Sequence, residues 1–379
     1  MFFCGEDGHI VIEEQSPDDF DTRLGKQLGG YVLAARVADG AMGRVFEGRH
    51  PENAARVAIK VLHEDVARDR VAVERFRREF ESADEMDHPY VVKVLGFGAT
   101  GDGSHFMTME YLEGQELSKA MHGSEPMPLP RAVRVLCQVA SALEYAHSFG
   151  FIHRDLKPDN VFLCDSPDGP IVRILDFGSV KLQMETGSKL TAVGTTVGSP
   201  YYMSPEQATG AGDVDQRTDV FALGAIFYEM LTNEVAFEGP SLAMILMKIM
   251  NENPPPPSTI SSACPVILDD VLERALHKNK DQRFGSAKAF ADAVVKSVGL
   301  EHDGEYWANA SEQELISALA AATPEKPKAF GARETPTPPS MPAPTLSERP
   351  RPPSSSVPMV VSIALGVMLL GGVVMYLMR

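Results

Sequence analysis

The segment His153-Arg154-Asp155-Leu156-Lys157-Pro158-Asp159-Asn160 places a carboxylate five residues ahead of an Asn, and Asp176-Phe177-Gly178 begins sixteen residues after that Asn. Phosphoryl transfer between oxygens asks a protein for little covalent work. It asks for an oriented nucleophile and for neutralised charge. These residue types supply both. One carboxylate can accept the proton of an attacking hydroxyl, while an Asn oxygen and a second carboxylate can hold a divalent cation against phosphate. Taken singly the residues are ordinary, because loop carboxylates are common and Asn often only caps a turn. Their order and spacing carry the reading.

At these motifs the chain resembles the protein kinases, and Lys157 is similar to the lysine of the serine/threonine branch. The resemblance implies that Asp155 accepts the substrate hydroxyl proton and that Lys157 neutralises the γ-phosphate of ATP. It implies Asn160 and Asp176 as oxygen ligands for Mg2+, or for Mn2+ in its place. His153 and Phe177 read as packing residues. Arg154 offers a cation to a phosphate on the activation segment.

The ATP half is also present. Ala38-Asp39-Gly40-Ala41-Met42-Gly43-Arg44-Val45 fits the Gly-rich loop, with Ala38 where the first Gly is usual. Fifteen residues on, Val57-Ala58-Ile59-Lys60 supplies the strand lysine for the α and β phosphates. Its partner is read as Glu79, in the Phe-Arg-Arg-Glu stretch, with Glu74, Glu81 and Glu85 as neighbours of the same type. Val37, Ala38, Gly40, Gly43, Val45 and Ala58 are assigned to the nucleotide site. Met107-Thr108-Met109-Glu110-Tyr111-Leu112-Glu113-Gly114 resembles the hinge between the lobes, and the resemblance implies that Met109 sits behind the adenine and that the backbone of Glu110 and Leu112 bonds its edge.

An activation segment is expected from Asp176 to Ser204-Pro205-Glu206, with Ser in place of the usual Ala. It holds the phosphorylation candidates Thr191, Thr195 and Thr196, the last two favoured. Ser199 stands where Thr is usual and keeps the hydroxyl. Asp219 opens what resembles the central helix that anchors the catalytic loop, and Arg283 is the expected ion-pair partner of Glu206. The likeness to the bacterial, eukaryotic-like serine/threonine kinases covers residues 31–299.

The elements that must position these residues follow from periodicity. Alternation begins at Tyr31-Val32-Leu33 and returns at 44–48 and 56–61, broken by Gly-rich turns. A helical pattern runs over 71–86 and ends at Asp87-His88-Pro89. Strands are expected at 91–95 and 106–111, then helices at 132–148, 220–231, 241–250, 266–276 and 287–298. This order gives an α+β, two-lobed kinase fold: a small β-rich N-lobe over 31–112 and a larger helical C-lobe over 113–299.

Residues 1–30 carry seven acidic residues against Arg23 and Lys26, so a flexible acidic lead-in is expected, with a short strand at 9–12. Ser311-Glu312-Gln313-Glu314 has the form of a capping box, so 300–322 should hold one short accessory helix. The Pro-, Ser- and Thr-rich stretch 323–358 reads as an extended linker. Residues 359–378 form an uncharged, apolar run of 20. At about 1.5 Å per residue it matches a hydrocarbon core of about 30 Å, so one C-terminal transmembrane helix is expected. The basic residues lie before it, with only Arg379 beyond. The kinase domain is therefore expected to be cytoplasmic, on a single-pass protein of the cell inner membrane.

Composition bounds the remainder. An apolar fraction of 44% supports a normal core, and a net charge of −17 argues against nucleic acid as a partner. The four cysteines, Cys4, Cys137, Cys164 and Cys264, are far apart without a paired spacing, which suggests reduced thiols and no zinc site. Residues 1–6 have neither a basic start nor a long apolar stretch, so no secretory signal is expected. The partners implied are protein substrates, membrane lipid around the tail, and a transient homodimer for trans-autophosphorylation. A catalytically silent kinase-fold scaffold tethered to the membrane is the rival reading, favoured by the mild departures Ala38 and Ser199. Transfer to a small molecule such as an aminoglycoside or choline shares the architecture, but Lys157 and the Ser204-Pro205-Glu206 ending argue against it.

Overall fold

The computed structural model describes residues 21–101, 103–121, 123, 125–176, 200–210 and 213–322. The strand expected at 9–12, the three threonine candidates, Ser199, the linker and the apolar run 359–378 lie outside these residues. Among the described residues no helix is long and apolar enough to cross a membrane.

The N-terminal part is a sheet in which β1 (Gln27–Leu28), β2 (Tyr31–Asp39), β3 (Gly43–Arg49), β4 (Arg56–Leu62), β5 (Val94–Ala99) and β6 (His105–Glu110) lie in the order β1-β2-β3-β4-β6-β5. Helix α1 (Glu64–Ala67) leads into α2 (Arg70–Asp84), whose side chains Phe76 and Ala83 pack with Leu62, Val94 and Met107. The pleat decides what faces where. Along β4, Val57, Ile59 and Val61 join one apolar cluster with Leu33 and Phe46, so Ala58 and Lys60 must point to the other face.

Two sequence expectations need correction here. The flexible lead-in expected over 1–30 gives way to packed chain by Asp21. That residue is buried, accepts a hydrogen bond from Arg23 N and pairs with Arg44 at 2.8 Å, while β1 adds a strand edge to β2. The strand expected at 91–95 begins at Val94, because Val92 instead donates its amide to Ile174 O at 3.0 Å.

The larger part is helical. A second sheet of β7 (Gly114–Glu116), β8 (Val161–Cys164) and β9 (Ile171–Ile174) sits beside α3 (Leu117–Met121) and α4 (Leu129–Ser148). There follow α5 (Pro205–Ala208), α6 (Arg217–Thr232), α7 (Leu242–Asn251), α8 (Pro257–Ile260), α9 (Ile267–Ala275) and α10 (Ala287–Ser297). Helix α6 is apolar nearly all round and buried on every face, the mark of a central helix.

Beyond α10 the chain forms two helices where one was expected, α11 (Gly304–Asn309) and α12 (Glu312–Ala321). Trp307, Ala308 and Leu315 are buried in the same core as α4. Only half of the expected capping box forms. Ser311 accepts from Glu314 N at 3.1 Å, but the Glu314 carboxylate accepts from the Tyr306 hydroxyl at 2.5 Å.

Candidate active site

Strand register assembles the site. Ala38 pairs with Val45, Val45 with Lys60 and Lys60 with Met107, while Ala58 pairs with Met109. Residues in register share a face, and this face forms the roof of a cleft of about 190 Å³. Of the residues assigned to the nucleotide from sequence, Val37, Ala38, Val45, Ala58, Lys60, Glu79, Met109, Glu110 and Leu112 line it, together with Asp176.

Gly40 and Gly43 do not. Gly40 closes a turn, its amide bonded to Gly43 O at 3.0 Å. Gly43 is tied to strand packing: a Cβ there would lie 2.2 Å from Val61 O. Glu110 donates its amide to Lys93 O at 2.9 Å, which narrows the expected adenine contact at this residue to its carbonyl.

Sequence reasoning missed the floor, which Val92, Phe162 and Leu175 contribute. A signal for Phe162 existed. In β8, Val161 and Leu163 are buried in the core, so alternation turns Phe162 towards the opposite face.

Lys60 Nζ lies 2.7 Å from Glu79 Oε1 and 2.8 Å from Asp176 Oδ1. The Glu expected from sequence is therefore the partner found, and it is the buried one: Glu79 is 5% exposed. It projects from α2, which packs on the sheet by Phe76 one turn earlier. Burial alone would lower the Lys60 pKa, but Asp176 and Glu79 outweigh it and hold the ammonium charged. The two carboxyls part ways. Burial pushes Glu79 up to about 8, whereas Lys60 and a hydrogen bond from Glu79 hold the half-exposed Asp176 below the usual carboxylate range against burial.

Asp155 and Lys157 pair at 3.0 Å on the loop before β8. Asn160 Nδ2 donates to Asp155 O at 2.8 Å, and Asn160 O accepts from Leu175 N at 2.8 Å. Asn160 thus ties the Asp155 loop to the backbone next to Asp176. The loop is anchored from below by Asp219, fully buried at the start of α6. Its carboxylate accepts from His153 N (2.8 Å) and Arg154 N (2.9 Å) and faces His147 Nε2 at 2.8 Å. Burial would raise the Asp219 pKa, but these contacts, His147 foremost, outweigh it and lower it. They also hold Arg154 at φ +63°, a left-handed conformation that a non-glycine residue adopts only under constraint.

The donor set suits a small, hard cation. Asn160 spends its amide nitrogen on Asp155 O, which leaves Oδ1 as an oxygen donor, and Asp176 is a charged carboxylate at the cleft. Among the described residues no three acidic, His or Cys side chains make a ready cage. An ion held here would take its remaining ligands from phosphate and water, the usual habit of Mg2+.

A model of the protein kinase domain matches residues 31–295. The chain belongs to the protein kinase family. It is 39% identical over 293 residues to the serine/threonine-protein kinase pkn3 of Myxococcus xanthus, covering 75% of this chain and 52% of that one. It is 34% identical over 278 residues to the serine/threonine-protein kinase PknB of Mycobacterium tuberculosis, covering 73% and 43%. Among solved structures, the kinase domain of Mycobacterium tuberculosis PknI superposes with a TM-score of 0.56 at 30% identity, over 72% of this chain and 98% of that one. The chain spans about half or less of the length of the curated relatives it matches. Family membership brings ATP and a divalent metal as the general requirements of the fold's chemistry.

Proposed function

We propose that this protein transfers the γ-phosphate of ATP, as its Mg2+ complex, to Ser and Thr hydroxyls of proteins, its own activation segment included. One observation carries the reading: Lys60 is gripped by both Glu79 and Asp176 at the end of an apolar cleft. A lysine held by a carboxylate and a second, buried carboxyl is a rigid point charge aimed at phosphate, which a scaffold has no need to keep. Val37, Val45, Ala58 and Met109 would shed water from the base and hold it flat. Lys60 would orient the α and β phosphates. A substrate hydroxyl would lose its proton to Asp155 as its oxygen attacks the γ-phosphorus, the bond from that phosphorus to the β,γ-bridging oxygen would break to release ADP, and Lys157, 3.0 Å from Asp155, would offset charge on the transferred group. Asn160 and Asp176 would hold Mg2+, which supplies charge neutralisation on the phosphate oxygens when bound. Asp155→Asn should abolish phosphate transfer while ATP binding persists; undiminished transfer would sink the assignment.

The activating event in this reading is phosphorylation within 191–196, at Thr195 or Thr196 before Thr191. Arg154 supports it, since its buried Nε finds no hydrogen-bond partner among the described residues. A phosphate delivered there would satisfy the guanidinium. A phosphopeptide map of active protein with that window bare would refute this.

The apolar run 359–378, behind the Pro-rich linker, would make the protein single-pass, with residues 31–299 at the cytoplasmic face of the inner membrane. Crowding on that surface would favour transient dimers and reaction in trans. Recovery of the full chain in the alkali-washed membrane fraction, and release on deletion of 359–379, tests the anchor.

A further inference from the structure

The two helices beyond the kinase-domain match are wired to the residues that hold Asp176 and Glu79. Helix α11 has six residues, so its last carbonyls lack partners within the helix. Ala308 O accepts from the Tyr90 hydroxyl at 2.8 Å and from Gln138 Nε2 at 3.0 Å, and Ala310 O accepts from Arg134 Nε at 2.8 Å. Arg134 and Gln138 stand one turn apart on α4 and are buried, an arrangement that makes sense only with acceptors opposite.

The same side chains grip β9. Gln138 Oε1 accepts from Val172 N at 2.8 Å, and Arg134 Nη1 donates to Pro170 O. Tyr90 holds the strand by its backbone: Ile174 N donates to Tyr90 O at 2.8 Å, and Val92 N returns to Ile174 O at 3.0 Å. Asp176 lies two residues past Ile174, and Tyr90 lies on the loop that follows the helix of Glu79. One carbonyl, Ala308, is thus bonded by two residues that each fix β9.

We propose that Tyr90 and Gln138 are positioning residues through which the C-terminal helices α11 and α12 keep Asp176 and Glu79 aligned on Lys60. The kinetic part of this inference rests on the function proposed above; the structural coupling does not. Tyr90→Phe keeps the ring and removes the hydroxyl, and Gln138→Met keeps the volume and removes both bonds. In the full chain either change should lower kcat/KM for ATP about three- to tenfold, with KM for a peptide acceptor unchanged. Amide exchange should quicken at 171–176 as well as at 304–309. Faster exchange confined to 304–309, with kinetics unmoved, would overturn the proposal. So would failure of both variants to fold, which would make these bonds global supports. If the wild-type chain transfers no phosphate, the kinase reading fails on its own, and exchange at 171–176 still decides the coupling.

Discussion

Glu206 and Arg283, 77 positions apart, meet in a two-pronged ion pair, with Nη1 to Oε1 at 2.8 Å and Nη2 to Oε2 at 2.7 Å. The Arg283 side chain is fully buried and also donates to His277 O, while Thr218 Oγ1 donates to Glu206. Every charge is matched, so removing one partner strands the other. Arg283→Met should lower unfolding stability by about 3–5 kcal/mol, read as a shifted urea midpoint. The double variant Arg283→Met with Glu206→Gln should recover part of the loss, because the uncompensated carboxylate is gone. A single-variant effect below about 1 kcal/mol, the size of an exposed pair, would show that water reaches the site.

Lys278 presents the opposite case. Its Nζ is buried without a hydrogen-bond partner among the described residues and lies 4.0 Å from the centre of the Phe237 ring and 5.6 Å from that of Phe221. Burial pushes its pKa down to about 7, Arg283 adds repulsion, and Glu252 opposes both. Unfolded, the amine titrates near 10.5. Between these values the folded state binds fewer protons than the unfolded one, so stability rises with pH across that window and the cost of the buried charge is fully felt below it. Lys278→Met should therefore stabilise the fold by about 1–2 kcal/mol at pH 6, a gain that shrinks towards pH 10. Thermal melts at both pH values check it; a gain independent of pH would mean that the site stays hydrated.

Asp219 makes its contribution at a distance from the cleft. Asn in its place keeps the shape but offers only one oxygen to three donors, so one of the amides of His153 and Arg154 loses its acceptor. The left-handed Arg154 then relaxes, and Asp155 next to it loses its aim. Asp219→Asn should reduce kcat about 10–100-fold with little change in KM for ATP, most of whose cleft is lined by residues 37–112, remote from Asp219. Equal rises in KM and unaltered kcat would place the effect in the nucleotide cleft instead.

Much of this arrangement was legible because it rests on local words. Alternation in Val57-Ala58-Ile59-Lys60 put Lys60 and Ala58 on one face, and the motif order paired Glu79 and Arg283 with partners far along the chain. What escaped depends on long-range contact. Arg134 and Gln138 are polar side chains of α4, yet both are buried by their bonds to Ala310 O and Ala308 O beside α11, while the exposed Arg131 pairs with Glu312 of α12 at 2.9 Å. Helix α11 itself is too short to show a period, and its burial is decided by where α4 lies. Residues 91–92 have strand composition but bond to β9, which no local pattern encodes.

The two glycines of the Gly-rich loop make a sharp comparison. At Gly40 the nearest atom to an added Cβ is Gly43 O at 3.5 Å, an ordinary contact. At Gly43 it is Val61 O at 2.2 Å, in backbone that cannot swing aside. Gly43→Ala should force β3 from β4, costing about 2–4 kcal/mol and raising KM for ATP as Val45 and Lys60 separate. Gly40→Ala should stay within about 0.5 kcal/mol of the parent. Parallel denaturation of the two variants decides it, and equal losses would contradict the packing argument.

Glu79 offers the most direct test of the gripped lysine. With Glu79→Gln, Lys60 keeps Asp176 as its one carboxylate partner, and the ammonium is drawn towards the residue proposed to hold the metal. It then no longer waits where the α and β phosphates arrive. The change is nearly isosteric and removes a carboxyl whose ionisation burial already disfavours, so the fold should lose little stability. Activity should respond far more: kcat/KM for ATP should fall about 10–100-fold, while KM for the protein acceptor stays put. Steady-state kinetics with each substrate varied in turn separates the two. A parallel loss at both substrates, or a large drop in melting temperature, would mean that Glu79 supports α2 rather than aims Lys60.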